Sequence, residues 1–70
     1  MEKMKINEKR KNYRMTIITK NGIIIEKFYR PDIAKSTVTN MKELFPESFI
    51  GGALEEKHNK WEVIWTLGNY

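Results

Sequence analysis

The sequence predicts a single small α+β domain of order ββαββ, an antiparallel sheet of two hairpins with one helix packed on one face. Three observations predict it. Asn21-Gly22 sits between two runs rich in β-branched and aromatic residues. An amphipathic stretch from Ile33 to Phe45 is bounded by Pro31-Asp32 and Pro46. A run from Trp61 to Leu67 places apolar residues at every second position.

The first hairpin joins residues 13–20 to residues 23–30. Both central positions of a type I′ turn need positive φ, which Asn-Gly supplies at least steric cost. A turn centred on Asn21-Gly22 pairs Lys20 with Ile23, Ile18 with Ile25 and Met15 with Phe28. One face then carries Tyr13, Met15, Ile17, Ile24 and Phe28. The other carries Ile18, Ile23, Ile25 and Tyr29, with Arg14, Lys20 and Lys27 interspersed. Both faces are substantially apolar, whereas a one-sided sheet alternates more cleanly.

Arg30-Pro31-Asp32 ends the second strand, and Asp32 is the expected N-cap of the helix. Ile33, Ala34, Val38, Met41, Leu44 and Phe45 share one helical face. This pattern outweighs the mediocre propensity of the β-branched residues between Ser36 and Asn40. Pro46 stops the helix by disfavouring αR at Phe45.

Residues 49–56 and 60–67 form the second hairpin around Lys57-His58-Asn59-Lys60. A two-residue or four-residue loop gives one register, with Trp61 opposite Glu56, Val63 opposite Leu54, Trp65 opposite Gly52 and Leu67 opposite Ile50. Trp61, Val63, Trp65 and Leu67 are then expected on one apolar face under the helix, touching Ile33, Met41 and Leu44. Lys60, Glu62 and Thr66 share the other face with Ile64, the one apolar residue among them. Gly52 is expected to leave room for the Trp65 indole.

Charge is the second organising feature. The chain of 70 residues has a formal net charge of +4. All of it lies in the first fourteen residues, where Lys3, Lys5, Lys9, Arg10, Lys11 and Arg14 face only Glu2 and Glu8. The expected organisation is a flexible basic N-terminal arm over residues 1–12, an α+β domain over 13–67 and frayed residues 68–70. Lys3, Lys5, Lys9, Arg10, Lys11 and Arg14 are the candidate nucleic-acid contacts, since Lys and Arg along a segment neutralise phosphates and release counterions.

Other chemistries are poorly supplied. There is no cysteine, hence no disulfide or thiolate metal site, and one histidine makes no zinc site. His58 falls at a loop tip without a nucleophile or second base beside it. Gly51-Gly52 lies inside a strand, not before a helix as a phosphate loop requires. Glu55 and Glu62 are expected opposite each other as a solvated charge cluster with Lys57 and Lys60. No cofactor, metal or catalytic residue is expected. No apolar run approaches the roughly 20 residues that span a bilayer, and with no secretory signal the expected compartment is the cytoplasm.

Two functions remain. The first is a non-enzymatic accessory module that binds a protein partner or a second copy of itself through Ile18, Ile23, Ile25 and Tyr29. A contiguous exposed apolar patch marks such a surface, and a domain this small gains from oligomerising. The alternative is a small nucleic-acid-associated protein that uses the basic arm. The first is preferred, because its residues lie in the folded body.

Overall fold

The computed structural model describes residues 11–70. Its elements are β1 (Tyr13–Thr19), β2 (Gly22–Phe28), α1 (Pro31–Leu44), β3 (Phe49–Lys57) and β4 (Trp61–Gly68). They form one four-stranded antiparallel sheet of order β2-β1-β3-β4. The helix connects the β2 edge to β3 and packs on one face only. The ββαββ order and the helix-on-sheet arrangement are as the sequence predicts.

The first turn has the expected two residues but sits one residue earlier in the chain. Thr19 pairs with Gly22, so the two loop residues are Lys20 and Asn21. Asn21 does not adopt positive φ, so the turn is not type I′; Gly22, at φ 146°, and Gly68, at φ 73°, are the positive-φ residues among those described. Three hydrogen bonds account for the difference. The Ser48 carbonyl accepts the Lys20 N–H at 2.9 Å, drawing Lys20 towards the loop before β3. Thr19 Oγ1 accepts the Asn21 N–H at 3.2 Å and donates to the Gly22 carbonyl at 2.8 Å, closing the turn around itself. Ile18 therefore pairs with Ile23, and Ile25 with Thr16. This shift of two residues preserves side-chain parity, so the composition of the two hairpin faces stands.

The helix begins one residue before the expected N-cap. Arg30 is the N-cap, extended at φ −128° and ψ 136°, and Pro31 occupies the first turn. Proline suits that position because its fixed φ is helical and its missing N–H would be unpaired there anyway. Asp32 is thus inside the first turn, where Arg30 grips its carboxylate at 2.9 Å. Desolvation alone would raise the Asp32 carboxyl; the Arg30 hydrogen bond and charge, with the N–H groups of Ile33 and Asp32, together hold it below its ordinary value. At the other end, the Phe45 N–H caps the Met41 carbonyl before Pro46.

The fully buried core is small: Met15, Ile17, Ala34, Val38, Ala53 and Leu54. Tyr13, Phe28, Met41, Phe49, Trp65 and Leu67 pack around its helix side. Gly52 serves the helix rather than the Trp65 indole. A Cβ there would lie 2.6 Å from Val38 Cγ1, so the missing side chain is what lets α1 approach β3. Ile33 and Leu44 are 49% and 70% exposed, so Met41 alone of the three expected helix contacts joins the core.

The second hairpin departs furthest from expectation. Lys57 pairs with Trp61, so the loop has three residues, His58 to Lys60. An odd loop moves the start of β4 by one residue and turns Trp61 and Val63 to the face away from α1. The register then shifts between Leu54 and Glu55, leaving Ile64 as the extra residue of a β-bulge. The bulge reverses the parity again. Trp65 returns opposite Leu54, and Leu67 opposite Gly52, on the helix side. Glu62 lies opposite Glu56 rather than Glu55.

β4 continues through Gly68, and the Asn69 N–H donates to the Ile50 carbonyl at 3.0 Å, so ordered pairing passes the expected end of the strand. No helix among the described residues is long and apolar enough to cross a membrane.

Candidate functional site

The sheet face away from α1 divides along the strands into an apolar end and a cationic end. At the apolar end, near the Lys20–Asn21 turn, Ile18 pairs directly with Ile23, and Ile25 follows on the same side of β2. Ile23 and Ile25 are 63% and 61% exposed, whereas Ile18 is half-buried. The chain end covers part of this region. A Cβ on Gly51, the partner of Ile18, would lie 2.7 Å from the Asn69 and Tyr70 backbone, so glycine is what admits that segment. Among the described residues, nothing covers the β2 side.

The cationic end lies beside Asn12 and Lys57, whose backbone is tied by Lys57 N–H to the Asn12 carbonyl at 2.8 Å. Arg14 on β1 pairs with Lys27 on β2 and Glu55 on β3, so all three side chains share this face. Arg14 Nε donates to Glu55 Oε1 at 2.7 Å, a charge-assisted bond. That bond holds the guanidinium above its already high ordinary pKa, against the opposing effect of desolvation. The locked guanidinium stacks on Trp61, 4.5 Å from the ring centre. Lys57 and Lys27 reach the same ring at 5.6 and 5.8 Å. Such contacts contribute about 0.5–1 kcal/mol each at exposed sites.

An open cleft of about 360 Å³ lies beside the indole, lined by Lys11, Asn12, Lys27, Lys57 and Trp61. Among the described residues, no carboxylate forms an ion pair with its three lysines. The nearby acids are engaged elsewhere. Glu55 holds Arg14. Glu56 accepts the Tyr13 hydroxyl at 3.3 Å and meets His58 at 3.4 Å. Burial raises the Tyr13 phenol, and the Glu56 charge and hydrogen bond raise it further.

The sequence-predicted interface residues are thus only partly brought together. Ile18, Ile23 and Ile25 form one patch. Tyr29 follows the end of β2, towards the cationic end, 51% exposed with Lys11 Nζ 5.2 Å from its ring centre. Of the candidate nucleic-acid contacts, Lys11 and Arg14 flank Trp61, while Lys3, Lys5, Lys9 and Arg10 lie outside the described residues. Sequence reasoning placed Lys27 on this face but missed Trp61, Val63 and Lys57 as its members. The signal that could have found them is Ile64, an apolar residue at a position that alternation reserves for a polar one.

The chain matches no protein-family model, no curated protein and no solved structure. The chemistry of the face therefore carries the functional reading.

Proposed function

We propose that this protein is a non-enzymatic interaction module that pairs with a second copy of itself through the open apolar end of its sheet. The observation that carries this reading is the exposure of Ile23 and Ile25, 63% and 61%, on a sheet face that no helix among the described residues covers. Two such sheets stack about 10 Å apart with interleaved side chains. In a two-fold pair each residue counts twice, and completing the burial of each isoleucine contributes about 1 kcal/mol. The sparse core supports the same reading, because a small domain leaves much of its apolar surface wet unless it associates.

The test is the solution mass by light scattering at low and high salt. A dimer that persists in high salt and dissociates in Ile25→Asp or Ile23→Asp supports the reading, since each substitution would bury an unpaired charge at the interface. A parent chain that is monomeric at both salts overturns it.

A further inference from the structure

We infer that the cleft beside Trp61 is a binding site for single-stranded nucleic acid, in which a base stacks on the indole and neighbouring phosphates meet Lys11, Lys27 and Lys57. Four observations carry this. First, Trp61 stands on the side of the sheet away from the core, in a half-buried position with three cations around its ring. Second, Arg14 is fixed by Glu55 and packs on the ring without lining the cleft, so the ring is held in place while the lysines face the opening. Third, the lining residues bring three positive charges together with no acid among them. Fourth, the cleft volume of about 360 Å³ falls within the range of small-ligand sites.

A polymer fits better than a free nucleotide. Lys11 lines the Trp61 cleft and also lies 5.2 Å from the ring centre of Tyr29, itself 51% exposed. Two aromatic rings joined by a lysine repeat the elements that track a single strand, with base stacking on each ring and phosphate contacts between. A duplex keeps its bases stacked inside and offers nothing to the indole. This site occupies the opposite end of the sheet face from Ile18 and Ile23, so it stands independently of self-association.

The experiment titrates the full chain into a fluorescein-labelled oligouridylate and an oligothymidylate, read by anisotropy from about 50 to 200 mM salt. Binding is expected at low salt and should weaken steeply as salt rises. Lys27→Gln and Lys57→Gln should each lower the log–log salt slope by about 0.7. Trp61→Leu should weaken binding about tenfold. With unlabelled oligouridylate and a Trp65→Phe chain, whose one indole is Trp61, binding should quench the emission. Circular dichroism checks the fold of each variant, and the exposed Lys57→Gln keeps the test valid should Trp61→Leu unfold. Three results would overturn the inference: no binding at low salt, a duplex bound as tightly as a single strand, or undiminished binding by Lys27→Gln/Lys57→Gln. Competition by uridine monophosphate at equal nucleotide concentration would overturn the polymer and leave a mononucleotide site.

Discussion

Trp61 and Trp65 stand four residues apart on one strand and belong to different halves of the molecule. Trp65 packs against the core beside Leu54, with Lys35 of the helix 5.8 Å from its ring centre. Trp61 lies on the other face among Arg14, Lys27 and Lys57. The same side chain serves packing in one place and a charged surface in the other. The residue type does not decide between them. The backbone does, through a three-residue loop and one bulged residue.

The largest expected effect comes from truncating the two rings in turn. Trp65→Ala should cost about 3 kcal/mol, a core truncation at the lower end because the ring is only partly buried. Trp61→Ala should cost about 1 kcal/mol, the loss of exposed cation–π contacts. Urea unfolding midpoints compare them, and equal costs would erase the distinction. Next is Gly52→Ala. Its methyl group would meet Val38 Cγ1 at 2.6 Å and the Thr16 carbonyl at 3.3 Å. The helix would have to lift, at about 1–3 kcal/mol, seen as a lower melting temperature.

Deleting Ile64 is a sharper test with a smaller cost. Removing the bulged residue leaves Glu55 opposite Val63 and Leu54 opposite Trp65, now in unbroken alternation. Both rings should keep their faces, and stability should stay within about 1 kcal/mol of the parent. Acrylamide quenching would show one accessible and one shielded indole; two shielded indoles would refute the parity argument. The smallest effect is on the helix that covers Trp65. The Asp32 carboxyl has its folded pKa held below the unfolded value, so its contribution is present above that value, near 3.9, and is lost as pH falls through the folded pKa. Asp32→Asn should therefore lower the melting temperature slightly at neutral pH, and the difference should vanish in strong acid.

The comparison also shows what could be read from the sequence. The faces of the first hairpin were legible although its turn was misplaced, because a two-residue slip returns every side chain to the same side. The helix was legible from Ala34, Val38 and Met41, and its start was off by two positions because Pro31 and Asp32 both suit a helix N-terminus. The site at Trp61 was not legible. Apart from the apolar Ile64 at a polar position, alternation from Trp61 to Leu67 is the same whether or not the strand is bulged, and loop length in a charged segment such as Lys57–Lys60 leaves no hydrophobic trace. Lys27 and Lys57 come to one ring only through the β1–β3 pairing, which no local pattern announces.

That pairing also governs how the chain folds. Each hairpin closes over a loop of two or three residues, but Tyr13 and Glu56 are 43 positions apart when they meet. A lone hairpin is marginally stable at best in water, and α1 has no complete surface to lie on until β1 and β3 are side by side. The entropy of closing that long loop is lost before the core returns anything for it. The seam between β1 and β3 is thus the slow step, and until it closes neither half of the chain has a stable structure of its own.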